Sequence, residues 1–305
     1  MDATTRYTRR AFNRRAAGWL SLGGLVLAGC GPSQEDLDAA RADISKLDKR
    51  LTAIDGGKAP AKTTAKSSAA AKDAHGAKPG EPAHWSYEGK TGPAEWGSMD
   101  PANGACSTGA TQSPIDLAAT QPGVGGRTLI KWQPAGLTVV NNGHTIQADV
   151  EKGSLIEIDG QPFELVQFHF HAPSEHTLNG KPFAMETHFV HKHKDGGLAV
   201  VGVLHSVGGE APALTPILGA MPKKADEKKP LPKTDLTALL PRERAMFRYA
   251  GSLTTPPCSE GVRWQVFQSP TSISDTQLRA FQELYKNNAR PVQPLKARDV
   301  LKESA

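Results

Sequence analysis

QFHFHAPSEH, residues 167–176, sets three histidines, a glutamine and a glutamate among ten positions, with Phe168 and Phe170 interleaved. Alternate residues of a strand share a face. Gln167, His169 and His171 therefore point one way and the two phenylalanines the other. The phenylalanine side is a core side. The histidine side is not, because a buried imidazole needs a partner, and two histidines at i, i+2 can reach a single ion.

The next run, FAMETHFVHKH (183–193), places Glu186 and His188 on one face, with Val190 following. Pairing the two runs brings His188 beside His169 and His171. Three neutral imidazoles with one open position make the pattern of a catalytic zinc site. Ligating histidines hand their second ring nitrogen to an oriented acceptor, and Gln167 and Glu186 stand two residues before a histidine on the same faces. His176, His191, His193 and His205 lack such support and are read as surface or structural. An alternative stays open. His169, His171 and Glu175 also resemble the first motif of the cupins, β-barrel proteins that bind iron or manganese, with Glu175 as a ligand. The second cupin motif finds no good match downstream.

Around this pair, apolar and β-branched runs recur between Gly, Asn and Pro punctuation: TLIKW (128–132), LTVVNN (137–142), HTIQADV (144–150), SLIEI (154–158), LAVVGVL (198–204), AMFRYAG (245–251) and VRWQVF (262–267). They predict a single, mainly β domain over residues 83–305, built on a large, mostly antiparallel sheet. Helical signals are few: ALTPILGAM (213–221) and SDTQLRAFQELYKN (274–287), with Ser274 as a cap. KKADEKKPLPK (223–233) is read as a charged surface loop.

The 305-residue chain carries a formal charge of +5, but Arg6, Arg9, Arg10, Arg14 and Arg15 account for most of it. No nucleic-acid partner is inferred. Residues 1–29 read as a sorting signal: basic TRRAFNR (8–14), then apolar AAGWLSLGGLVLAG (16–29), too short to span a bilayer. LAGC (27–30) resembles a bacterial lipobox, implying cleavage before Cys30 and its lipidation; an ordinary signal peptide is the plainer alternative. Residues 8–12 also resemble a twin-arginine export signal. The expected location is the periplasmic face of an outer membrane or the cell surface, since Gly31 is not the Asp that retains some lipoproteins at the inner membrane.

Within residues 30–55, Leu37, Ile44 and Leu51, with Ala40, Leu47 and Ile54, repeat every seven positions. This pattern reads either as a short coiled coil, making a homo-oligomer through residues 33–55, or as a solvated amphipathic helix. Residues 56–82, rich in Ala, Lys, Ser, Thr and Pro, read as a flexible linker. Of the three cysteines, Cys106 and Cys258 remain after Cys30. In an exported protein they are expected as a disulfide, with two buried thiols as the alternative.

The motif GSLTTPPCSEGVRW (251–264) joins HWSYEGKTGPAEW (84–96), QSPIDL (112–117), NNGH (141–144), QFHFH, ETHFVH and RPVQPL (290–295). Together they resemble the α-class carbonic anhydrases, from Ala83 to Leu301 and in order. The resemblance implies a mostly antiparallel twisted sheet with zinc at the base of a conical cleft. It also implies reversible hydration of carbon dioxide to bicarbonate and a proton by zinc-bound hydroxide.

By the same resemblance His169, His171 and His188 are the zinc ligands. Gln167 and Glu186 orient His169 and His188, and the Asn288 carbonyl orients His171. Thr254 orients the hydroxide and Glu175 is its partner, because an ionised carboxylate only accepts and so Thr254 must donate its O–H to it. Val190, Val200, Leu253, Val262 and Trp264 form the apolar substrate wall, and Thr255 contacts bicarbonate. His144 is the proton shuttle, expected near the free imidazole pKa of about 6.5. Tyr87, Asn142 and Gln147 order its water chain. Ala172 and Ala289 stand where many relatives carry Trp. Pro256-Pro257 resembles a cis site of the family, and Cys106–Cys258 matches the disulfide of exported members. A non-catalytic surface binding protein on the same fold is the remaining rival, although such proteins typically lose zinc histidines and this chain keeps all three.

Overall fold

The computed structural model describes residues 84–304, apart from Ala119 and residues 124–127. The sorting signal in residues 1–29, Cys30, the heptads of residues 33–55 and the linker of residues 56–82 lie outside the described residues.

The punctuated apolar runs become strands. They are β1 (Thr120–Pro122), β2 (Thr128–Lys131), β3 (Ala135–Asn141), β4 (Ile146–Val150), β5 (Leu155–Ile158) and β6 (Gln161–His171). Then follow β7 (Thr177–Leu178), β8 (Lys181–Pro182), β9 (Met185–Lys192), β10 (Leu198–Val207) and β11 (Lys228–Thr234). Last come β12 (Met246–Ser252), β13 (Glu260–Phe267), β14 (Thr271–Ile273) and β15 (Val300–Glu303). Thirteen of them form one sheet in the order β1-β15-β12-β13-β10-β9-β6-β4-β3-β11, with β14 beside β10 and β2 joined to β6 through β5. The sheet is mixed, not purely antiparallel. β1 runs parallel to β15, and β10 runs parallel to both β13 and β14. The described residues belong to one compact unit.

The sheet separates two apolar clusters. Phe168, Phe170, Phe189, Val201 and Val203 lie in the larger one. Val200, Leu204, Val262, Trp264 and Val266 lie in the other, on the histidine side. Each fully buried side chain of this size contributes about 1.5–3 kcal/mol, so the phenylalanine layer anchors the ladder that displays the histidines.

A β-bulge in β6 decides which side is which. Leu165 pairs with His191 and Gln167 with Val190, leaving Val166 as the extra residue. Before the bulge Phe163 and Leu165 face the larger cluster; after it Phe168 and Phe170 do. Strict alternation from Phe163 would have turned His169 and His171 into that core. Bulges re-aim side chains next to active sites, and here the bulge delivers His169 opposite His188.

Two expectations need correction. Residues 223–233 are not wholly a loop, because β11 pairs antiparallel with β3. β11 lies at the sheet edge, where Pro230 and Pro232 can turn their missing donors outward and exposed lysines discourage a further strand. The second helix spans Asp275–Gln282, with Ser274 in a capping box, and does not reach residue 287. Leu284 and Tyr285 instead turn back onto the Phe281 carbonyl, and the chain then brings Asn288 against β6.

Candidate active site

His169 and His171 from β6 and His188 from β9 each offer a ring nitrogen, and these nitrogens lie within 4.8 Å of one another. The far nitrogen of each ring meets an oxygen. His169 Nδ1 is 2.9 Å from Gln167 Oε1 and His171 Nδ1 is 2.7 Å from the Asn288 carbonyl. His188 Nε2 is 2.9 Å from Glu186 Oε1, though off the ideal hydrogen-bond line. This leaves His169 Nε2, His171 Nε2 and His188 Nδ1 to converge, and His171 Nε2 is buried without a partner. Burial lowers the pKa of all three rings, that of His171 to about 4. The neutral form is the one that binds metal. The donor set, its convergence and its fixed far nitrogens fit zinc.

Glu186 is the centre of a buried network. Its Oε1 is 2.7 Å from His176 Nδ1, and its Oε2 accepts the N–H groups of Glu175 and His176 at 2.9 Å each. His176 Nε2 lies 2.7 Å from the Tyr249 hydroxyl, which donates to Ser113 Oγ at 2.9 Å. His176, Glu186 and His188 are also spaced closely enough for a metal, but Glu186 already engages both rings. Burial opposes the Glu186 charge, and His176 and His188 more than offset it, holding the carboxyl well below the usual range. The network needs room at Gly202, opposite His188 on β10. A Cβ there would stand 3.1 Å from Glu186 Oε1 and 3.3 Å from Val266.

Glu175 is buried, and its Oε1 accepts the Arg290 main-chain N–H at 2.8 Å. Thr254 acts on the same carboxyl as a hydrogen-bonding side chain that lowers its pKa, and Oε2 is buried without a completed bond. Burial pushes the Glu175 carboxyl up to about 7 against the pull of His188 and these bonds. Glu175 stands outside the three-imidazole group. Val200, Val262 and Trp264, with Val190 and Leu253 packed on them, form one apolar surface beside His188. Trp264 is fixed by donating to the Ser252 carbonyl at 3.0 Å.

His144 sits in the turn between β3 and β4, where Asn142 Oδ1 accepts its N–H at 3.0 Å. Asn142 Nδ2 reaches Gln147 Oε1 at 3.4 Å, and Gln147 pairs across the sheet with His169. The Tyr87 hydroxyl is buried without a protein partner. Trp85 stacks on His144 with ring centroids 3.6 Å apart, and His84 meets it edge-on at 4.6 Å. The expectation of an ordinary imidazole pKa is therefore corrected. Burial, then His84, lowers that of His144 to about 4.

Cys106 and Cys258 form the expected disulfide, and the Pro256-Pro257 bond is cis. The Cys258 N–H donates to the Thr255 carbonyl at 2.8 Å, so the bridge holds the loop bearing Thr254 and Thr255.

The eukaryotic-type carbonic anhydrase family matches residues 91–304. The chain belongs to this α-class carbonic anhydrase family. A carbonic anhydrase of Klebsiella pneumoniae is 44% identical over 222 residues, covering 72% of this chain and 90% of that one. The solved α-carbonic anhydrase of Thermovibrio ammonificans, bound to the inhibitor sulfanilamide, is 45% identical with a TM-score of 0.69, over 72% of this chain and 99% of its own. Dioscorin complexed with ascorbate is 29% identical with a TM-score of 0.67, over 73% of this chain and 98% of its own. Hydration of carbon dioxide is the carbonic anhydrase reaction, and this membership sets the cupin alternative aside.

The sequence reading of this carbonic anhydrase cleft missed His176, Tyr249, Ser113 and Arg290. Ser113 and Arg290 lay inside quoted motifs, yet no spacing tied Arg290 to Glu175, 115 residues earlier, or Ser113 to the Tyr249 hydroxyl, 136 residues later. His176 was visible only as a lone histidine.

Proposed function

We propose that the chain hydrates carbon dioxide reversibly as a zinc enzyme, with His169, His171 and His188 as the ligands. The observation that carries this is the convergence of three imidazole nitrogens whose far sides are each met by an oxygen. When bound in carbonic anhydrases, zinc lowers the pKa of a water to about 7 and so supplies hydroxide at neutral pH.

The side chains do the rest. Thr254 donates its O–H as a hydrogen bond to Glu175, which leaves the Thr254 lone pairs to accept a hydrogen bond from the nucleophile and aim it. Val190, Val200, Leu253, Val262 and Trp264 hold an apolar, linear substrate and exclude water, with Thr255 beside the bicarbonate product. His144 carries the released proton to solvent through water ordered by Tyr87, Asn142 and Gln147. Stacked on Trp85, the His144 ring is held neutral by desolvation. Turned outward into water, it regains basicity near the free value of about 6.5, which suits relay at neutral pH.

The protein is proposed to be exported and anchored through lipid on Cys30, with the heptads of residues 33–55 as its means of oligomerisation. LAGC supports the anchor, and the Cys106–Cys258 bridge suits an oxidising compartment.

Stopped-flow carbon dioxide hydration by the full chain, with metal content measured on the same sample, tests the reading. Fast hydration with about one zinc per chain is expected from a three-histidine site. Zinc without hydration would favour the binding-protein reading, which the likeness to dioscorin keeps in play.

A further inference from the structure

The turn that carries His144 is anchored from several sides. Asn142 Oδ1 accepts the N–H groups of His144 and Thr145. The Tyr285 hydroxyl donates to Asn141 Oδ1, which also accepts the Gly143 N–H at 3.0 Å. Thr145 Oγ1 donates to the Phe170 carbonyl.

Asn288 ties this turn to the metal strand. Its Nδ2 donates to the carbonyls of His144 at 3.2 Å and Phe170 at 2.9 Å, and its Oδ1 accepts the Ala172 N–H at 2.9 Å. Two carbonyls on one side and an N–H on the other fix which way the amide faces. The side chain is buried, so each of these bonds stands in place of water. Meanwhile the main-chain carbonyl of the same residue accepts from His171 Nδ1. Asn288 thus serves two sites through two separable parts: its backbone holds a metal-facing ring, and its amide holds the main chain of His144.

We propose that the Asn288 side-chain amide is a positioning group for proton relay, locking the His144 turn to β6. The proposal rests on the reading of His144 as the relay. Removing the amide leaves the His144 and Phe170 carbonyls without that donor, and of these ties to the strand bearing His169 and His171 the turn keeps only Thr145 Oγ1 to the Phe170 carbonyl. Every side-chain substitution at Asn288 retains the carbonyl that meets His171.

The test uses the full zinc-loaded chain carrying Asn288→Ala, with Tyr285→Phe as a second variant that removes one bond to the same turn. Turnover in weak and in concentrated imidazole buffer is compared with kcat/KM. Independently, the ring-proton shift that the Trp85 stack imposes on His144 is read by NMR in the zinc-free chains. Expected for Asn288→Ala are retained zinc and kcat in weak buffer reduced roughly two- to tenfold, the range for lost hydrogen bonds of ordinary strength. The fall should exceed any in kcat/KM, imidazole should restore it, and the Trp85-induced shift should shrink. A parallel fall in kcat and kcat/KM without rescue, or an unchanged shift, overturns the proposal. If Asn288→Ala does not fold, Tyr285→Phe must show the same pattern, and unchanged readouts overturn it. His144→Ala is the control. If its turnover ignores buffer, the relay reading fails, and the shift in Asn288→Ala still decides whether the amide fixes the turn.

Discussion

The Arg290 guanidinium donates to the Cys106 carbonyl at 2.9 Å. Its other amino group donates to the Ser113 carbonyl and to Gln112 Oε1, and its main-chain N–H holds Glu175. The disulfide thus grips the cleft at two points: the Thr254 loop through Cys258, and the Glu175 partner through Arg290.

Replacing both cysteines, Cys106→Ser with Cys258→Ser, should lower unfolding stability by about 2–5 kcal/mol, the usual loss for a native bridge closing a long loop. Urea midpoints read the loss. Hydration kcat/KM should also fall, because Thr254 and Glu175 lose a shared support. Equal kcat/KM in the folded double variant would show that the grip is purely structural.

Thr254→Val keeps the shape and removes both donor and acceptor. A fall in kcat/KM of about 100-fold is expected, the size seen when one oriented polar group leaves an active site. Zinc content should not change. A variant within twofold of the parent would remove Thr254 from the mechanism.

Gly202→Ala pushes a methyl group toward the Glu186 carboxylate. Neither Glu186, bonded on both oxygens, nor fully buried Val266 can yield freely. A destabilisation of about 1–3 kcal/mol is expected from overpacking, and zinc should leave about tenfold faster as the support of His188 shifts. Chelator-driven zinc release measures the second effect.

Trp85→Ala should raise the His144 pKa from about 4 toward the free imidazole value, since burial is the main cause of its depression and His84 the lesser. An NMR titration of the ring protons reads this directly. A pKa still near 4 would assign the shift to His84 instead.

His205 gives the fold a pH dependence. It is buried between the Thr187 and Thr271 hydroxyls, and burial lowers its pKa to about 4 although Glu186 pulls the other way. Between about 4 and the unfolded value of about 6.5, the unfolded chain holds a proton that the folded chain lacks. Stability therefore falls as pH drops through that window, by about 1.4 kcal/mol per pH unit for this group. The His205→Gln variant, still able to bridge both threonines, should show a shallower slope in urea midpoints from pH 6.5 to 4. Parallel slopes would exclude His205 as a contributor.

The strands and the three converging histidines were legible because each depends on local alternation and on one pairing. What stayed hidden depends on chain segments meeting from afar. β11 reads as a loop because lysines and prolines disguise an edge strand. His176 looks idle until the β7–β8 excursion folds it onto Glu186. The depressed pKa of His144 follows from burial and from His84, sixty residues earlier. Asn288 could be matched for its carbonyl, but no pattern reveals where its amide points.

Val166 has one more consequence. In the strand that bears His169 and His171, deleting or adding one residue at Val166 should turn both imidazoles into the larger apolar cluster and Phe168 and Phe170 out of it. Length variation is safer at the exposed hairpin tip Asn179–Gly180, where both residues already adopt positive φ. That tip is the place to insert a label or a short peptide when the cleft must stay intact.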